Sequence, residues 1–122
     1  MWGIEVMTMI SDDIEKVGKA LSYFAREHKK DSGKRGPAYH YIDRISNAIS
    51  SELAIEALYD AIRALRSLKH QGENVYIPSQ ETIKRVVEEI RKDITTTKLI
   101  AIIALSYGIE EAKSGERSEE RG

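Results

Sequence analysis

The chain has 122 residues, of which 19 are basic and 20 acidic, and its net charge at neutral pH is −1. A hydrophobic fraction of 41% supports one modest core, so we expect a single domain. The balanced charge excludes binding to nucleic acid through overall charge, although it leaves room for a local basic patch. The lack of cysteine excludes disulfides, thiol catalysis and thiolate metal sites, and it suits a reducing cytoplasm.

No segment has the composition of a membrane span or a secretion signal. The longest apolar run, Leu99 to Leu105, is much shorter than the roughly 20 residues that cross a bilayer. The first residues lack the positive region of a signal peptide, so we expect a cytoplasmic protein. A composition rich in isoleucine, with 32% charged residues, is typical of thermophilic archaeal proteins.

The first third of the chain predicts an arm, a helix and a loop. Residues 1–10 alternate loosely, which indicates a short strand or an unstructured arm. A helix is then predicted from a cap at Ser11 or Asp12 to about Lys30. Two glycines and a proline make residues 31–37 a loop.

Two helices are predicted in the middle of the chain. The helical period returns at Ala38 and gives a short helix that ends near Ser50. Ser50 or Ser51 caps the next helix, which carries a face of small residues and ends before Gly72 at the C′ position. Residues 73–78 are too few for a helix and leave room for a short two-stranded hairpin or arm.

The last third predicts two further helices and a tail. Ser79 caps a helix with a clear apolar stripe, and three threonines at 95–97 favour a bend or a new helix start capped by Asp93 or Thr95. Residues 99–109 are apolar on nearly every side, which is typical of a bundle centre or a subunit interface. The composition of residues 114–122 predicts a disordered acidic tail. The expected fold is therefore all-α: one domain of about five helices over residues 1–113.

Local basic clusters are the candidate nucleic-acid contacts, because cations beside aromatic side chains suit phosphate contact next to base stacking. The alternative is that these cations are solvated and neutralise helix C-termini. Asp43 and Asn47, at i and i+4, are expected to brace a corner between helices. The candidate contacts are Arg26, Lys29, Lys30, Lys34, Arg35, Arg44, Arg63 and Arg66.

The sequence gives little support for catalysis. The three histidines, His28, His40 and His70, lie on three different segments, so no metal site is expected. No phosphate-binding loop of the G-x-x-x-x-G-K-S/T type occurs, and no cofactor is expected. One enzyme alternative remains, because helical ribonucleases of the HEPN type use an R-x(4 to 6)-H motif. The pairs Arg35–His40 and Arg63–His70 fit that bare spacing, in which imidazole transfers protons and arginine stabilises phosphate charge. A generic helical interaction module is the other alternative.

The segments YHYIDRISNAIS, ALYDAIRALRSLK, IPSQETIKRVVEEIRKDI and IAIIALSYG together resemble the small subunit of the archaeal type I-A CRISPR surveillance complex, archaeal Cascade. The resemblance covers roughly residues 38 to 110. It is carried by Tyr41, Asp43, Arg44, Asn47, Ala48, Asp60, Arg63, Gly72, Asp93 and the run from Ile100 to Leu105.

That resemblance implies a non-catalytic helical subunit. Its implied partners are neighbouring copies of itself and the large and backbone subunits, arranged around a guide RNA. Its implied role is to help hold the displaced or target DNA strand during R-loop formation. Some relatives carry a β-stranded insertion, for which residues 72–79 leave space for only a short turn or hairpin.

Overall fold

The computed structural model describes the backbone of residues 12–25 and 40–121, with side chains as far as residue 108. These residues form five helices. The first, α1, occupies residues 12–25. The others are α2 (His40–Ser46), α3 (Ser51–His70), α4 (Gln80–Lys92) and α5 (Thr96–Arg121). The all-α prediction is confirmed, and within the described ranges no strand forms, because residues 73–79 are an irregular loop.

Of the two residues predicted as the N-cap of α3, Ser50 is the one that caps the helix. Its side chain accepts a hydrogen bond from the backbone N–H of Leu53 at 3.2 Å. The helix ends as predicted at Gly72, which has a φ of 97°. The N–H of Gly72 donates to the carbonyl of Lys69 and that of Glu73 to the carbonyl of Leu68, both at 3.0 Å. This pair of bonds is a Schellman motif, in which glycine avoids the strain of a left-handed backbone.

The core is formed by the inward stripes of all five helices. In α3 the fully buried positions alternate between alanine and larger aliphatic residues, so neighbouring helices can approach closely. Burying one large aliphatic side chain contributes roughly 1.5–3 kcal/mol of transfer free energy. The largest side chains with almost no exposure are Phe24, Leu21, Ile45, Leu58, Ile62, Leu65, Ile90 and Ile100.

The first helix touches three others. The ring of Phe24 lies 4.9 Å from that of Tyr41, centroid to centroid, which joins α1 to α2. Asp13 Oδ2 accepts from Arg85 Nε at 2.8 Å, which joins α1 to α4 and raises the pKa of Arg85. Gly18 packs directly against Ile103 of α5. Contacts to three helices make α1 an organising element of the bundle.

The junction between α4 and α5 confirms the new helix start predicted at the threonines. Asp93 Oδ1 accepts from the backbone N–H of Thr95 at 3.0 Å and from its hydroxyl at 2.7 Å. These hydrogen bonds lower the pKa of Asp93, because they stabilise the ionised carboxylate. Three residues are enough to change the direction of the chain here.

The structure of α5 differs from the sequence expectation in two ways. The helix buries Ile100, Ala101 and Ala104 but leaves Leu99 43% and Ile102 60% exposed, so only one side faces the core. It also continues to Arg121 instead of giving way to a disordered tail at residue 114. Extending an existing helix adds one hydrogen bond for each residue fixed, and the Glu and Arg residues of this segment are good helix formers that offset Gly115.

Candidate nucleic-acid interface

A groove of about 530 Å³ runs between α3 and α4. The residues that line it recur every three or four positions along each helix, which places them on facing sides of the two helices. From α3 they are Tyr59, Ile62, Arg63 and Arg66. From α4 they are Gln80, Ile83, Lys84, Val87, Glu88 and Arg91. Because the aliphatic members are buried, the accessible surface of the groove comes mainly from polar side chains and Tyr59.

The rim of the groove is strongly basic. Arg63 and Arg66 on one side and Lys84 and Arg91 on the other give four positive charges, against the single negative charge of Glu88. The net charge of the lining is therefore +3, on a chain whose overall charge is −1. Such a local field attracts phosphates even though the whole molecule does not.

Tyr59 supplies an exposed aromatic ring at one end of this rim. Its side chain is 45% exposed, and Arg63 and Arg66 follow it at i+4 and i+7 on the same side of α3. An accessible ring beside guanidinium groups suits a nucleobase stacked next to phosphates held by arginine. The groove can therefore contact both parts of a nucleotide.

One carboxylate connects the groove to α2. Asp60 Oδ2 accepts from Arg44 Nη2 at 3.0 Å, and Asp60 Oδ1 lies 3.6 Å from Arg63 Nη1. About a third of the Arg44 and Asp60 side chains is exposed, whereas Arg63 is 78% exposed. The pair of Arg44 with Asp60 is shorter and less exposed, so it fixes Asp60 in place. The pair of Arg63 with Asp60 is longer and more exposed, so Arg63 stays accessible.

The structure brings together only part of the predicted contact set. Arg63 and Arg66 both line the groove. Arg44 is joined to Asp60 instead of lining the groove, so its direct contact with a strand stays a prediction. The remaining predicted contacts lie outside the described residues: Arg26, Lys29, Lys30, Lys34 and Arg35.

The predicted brace between Asp43 and Asn47 is also untested at the level of side chains. The N–H of Asn47 donates to the carbonyl of Asp43 at 2.9 Å, which is a backbone bond, and the Asn47 side chain is exposed. The bond from Arg44 to Asp60 is a side-chain link between α2 and α3 that sequence reasoning did not expect.

Among the cations and aromatic rings of the groove, sequence reasoning missed Tyr59, Lys84 and Arg91. Lys84 and Arg91 are seven positions apart, so the helical period alone places them on one side of α4. That signal was present, but nothing in the sequence pairs this side with the Arg63 side of α3. Tyr59 lies inside the predicted third helix, and nothing in the sequence marks its ring as exposed.

The structure gives no metal centre within its described residues, where no three His, Asp or Glu side chains form a suitable group. Arg63 and His70 are both exposed on α3. Seven residues separate them by about 10 Å along the helix, since each residue rises about 1.5 Å. The pairing required by the ribonuclease alternative stays a prediction.

Large aliphatic side chains are also exposed outside the groove, on α5 and at the corner between α2 and α3. Ile102 is 60% and Ile49 is 89% exposed. The ammonium group of Lys98 lies 3.5 Å from the carbonyl of Ser46, so α5 lies beside the end of α2. Leu99, which is 43% exposed, lies three residues before Ile102 on the same side of α5, and the two form the apolar surface of this helix. A contiguous exposed apolar patch is typical of a protein contact. Within the described part of the chain, no helix is both long and apolar enough to cross a membrane.

Residues 33–76 match the family described as CRISPR-associated protein (Cas_Csa5). The match covers less than half of the chain, and it includes α2, α3 and the α3 side of the groove. Over this segment the chain is therefore similar to a CRISPR-associated protein.

The chain is also similar to a particular archaeal protein, the uncharacterised protein MJ0380 of Methanocaldococcus jannaschii. The two are 27% identical over 106 residues, which cover 87% of this chain and 85% of the relative. The similarity thus extends well beyond the segment matched by the family. No solved structure matches the chain.

Proposed function

We propose that this protein is a non-catalytic small subunit of a type I-A CRISPR effector complex, archaeal Cascade. It helps to assemble the complex around a guide RNA and stabilises a DNA strand during R-loop formation. The observation that carries this proposal is the match of residues 33–76 to a CRISPR-associated family, within which α3 presents Tyr59, Arg63 and Arg66 to a basic groove. The cytoplasm is where such a complex would meet foreign DNA.

The groove supports direct contact with one nucleic-acid strand. Its rims carry cations from two helices, so phosphates of a strand lying along the groove would be neutralised from both sides. Tyr59 adds a stacking surface that accepts any base, which suits a subunit that must hold strands of varied sequence.

The strand contact is tested by removing two cations from the groove. Arg63→Ala combined with Arg66→Ala should weaken binding to a labelled single-stranded oligonucleotide, measured by fluorescence anisotropy over a range of salt concentrations. Loss of two phosphate contacts should make the slope of log affinity against log salt shallower by about 1.4.

The matched control combines Lys69→Ala with Lys92→Ala. This variant removes the same total charge, one cation from each helix that borders the groove, but both residues are exposed and neither lines the groove. The groove assignment requires the control to bind more tightly than the arginine variant. Equal losses of affinity in both variants would show that only overall charge matters, and would remove the groove from the proposal.

The apolar surface supports assembly with other subunits. Ile102 is exposed on a helix whose opposite side is buried in the core, so a neighbouring subunit could cover it without unfolding the bundle. Ile102→Asp should reduce co-purification with the backbone and large subunits, whereas Ser67→Asp, which places the same charge at an exposed position of α3 outside the groove, should not. Equal recovery of the complex with both variants would argue against this surface.

A further inference from the structure

We infer that Asp60 is a positioning residue that lowers the affinity of the groove for a nucleic-acid strand by holding Arg63. This inference rests on the strand-binding function proposed above. It concerns a residue outside the groove lining, which would act on the strand chiefly by way of Arg63.

The geometry gives Asp60 two unequal partners. Its Oδ2 atom accepts a hydrogen bond from Arg44 at 3.0 Å, an ordinary hydrogen-bond length between two charged groups. Its Oδ1 atom lies 3.6 Å from Arg63 Nη1, one turn further along α3. Asp60 and Arg44 are each only about one-third exposed, so they restrain one another at the junction of α2 and α3. Asp60 is therefore fixed in place, and Arg63 is the partner that can leave.

The negative charge of Asp60 partly neutralises Arg63, which is the cation that would bind a phosphate. Arg63 is 78% exposed, and an exposed pair of this kind shifts an equilibrium by no more than about fivefold. A phosphate can displace Asp60 from Arg63, but binding then loses the ion pair present in the free protein. A single copy of the subunit would consequently hold a strand less tightly than the four cations of the lining alone would allow.

The test uses Asp60→Asn in the full chain. The amide oxygen can still accept from Arg44, while the negative charge beside Arg63 is removed. Binding to a fluorescein-labelled single strand of about 16 nucleotides, a length that fills a typical single-strand site, should become two- to fivefold tighter by anisotropy. The slope of log affinity against log salt should steepen by up to about 0.7, the amount expected for one additional phosphate contact.

Two comparisons separate a specific effect from a general change in charge. Glu81→Gln removes one exposed carboxylate from α4 outside the groove, and it should tighten binding less than Asp60→Asn does. In an Arg63→Ala background, Asp60→Asn should tighten binding no more than Glu81→Gln does, because only the general change in charge remains.

The inference is overturned if Asp60→Asn tightens binding equally with and without Arg63, or no more than Glu81→Gln. Asp60→Ser, which removes the charge without adding bulk, replaces Asp60→Asn if thermal unfolding shows that the asparagine variant does not fold. A wild-type chain that binds no strand, or whose binding ignores Arg63 and Arg66, contradicts the proposed function itself and the inference with it. If strand binding depends on Arg63 and Arg66 but does not change with Asp60→Asn, only the inference about Asp60 is contradicted.

Discussion

Replacing Gly18 with alanine should destabilise the bundle, although alanine is normally the better residue in a helix. A Cβ atom added at residue 18 would lie 2.7 Å from Cβ of Ile103 and 3.3 Å from the carbonyl oxygen of Ile100. Carbon atoms in favourable contact are about 3.5–4.0 Å apart. The Cβ of Ile103 is fixed to the backbone, so the clash cannot be relieved by rotating a flexible side chain, and α1 must move away from α5.

The expected magnitude follows from two opposing effects. Overfilling a packed contact costs about 1–3 kcal/mol, and replacing glycine with alanine inside a helix returns about 1 kcal/mol. We expect a net loss of about 1 kcal/mol in the free energy of unfolding, measured by urea denaturation and far-UV circular dichroism. This loss corresponds to a fall of about 4 °C in Tm for a domain of this size.

A second variant distinguishes a steric clash from other causes. Ile103→Ala keeps the Cβ atom but removes Cγ2, which would lie 2.5 Å from the new Cβ of residue 18, so the loss caused by Gly18→Ala should shrink by at least about 0.5 kcal/mol in that background. The reasoning is refuted if Gly18→Ala raises stability by about 1 kcal/mol, since that is the gain expected of alanine in an unobstructed helix.

Three further substitutions test local features of the fold. Ser50→Ala should lower the unfolding free energy by about 1 kcal/mol because it removes the N-cap of α3, whereas Ser51→Ala, one residue inside the helix, should leave it nearly unchanged in the same denaturation assay. Gly72→Ala should cost about 1–2 kcal/mol through its left-handed backbone alone, since no atom lies within 4 Å of the new Cβ; an unchanged Tm would contradict this. Thr95→Ala should raise the pKa of Asp93, measured by NMR titration, because it removes a hydrogen bond to the ionised carboxylate.

The last prediction has a definite consequence for pH dependence. The folded-state pKa of Asp93 lies below its unfolded value, so the stability it contributes is present above the unfolded pKa and is lost as pH falls through the folded pKa. Acid unfolding of Thr95→Ala should therefore depend less steeply on pH in this acidic range than that of the wild type. An identical pH profile would show that the Thr95 hydroxyl does not affect the titration.

Local features of the fold could be predicted from sequence because each depends on neighbouring residues. The cap at Ser79 accepts from the N–H of Thr82 three residues later, and Gly72 ends α3 where the helical period stops. The extension of α5 to Arg121 could not be predicted from composition, because a polar segment that continues an existing helix avoids the cost of nucleation.

The groove could be predicted only in part. The spacing of Arg63 and Arg66 places them on one side of α3, and that of Lys84 and Arg91 places them on one side of α4. Packing decides which sides of α3 and α4 face each other, and the spacing of residues along the sequence does not predict this. The bond between Arg44 and Asp60, 16 residues apart, is hidden for the same reason.

The short junction between α4 and α5 has a consequence for how copies would combine. Asp93 and Thr95 hold this turn with two hydrogen bonds, and no glycine lies within it. Helix α4, which precedes the turn, borders the groove, and α5, which follows it, carries exposed Ile102. In an assembly joined through α5, this rigid turn would hold the groove of every copy in the same position relative to the contact between copies.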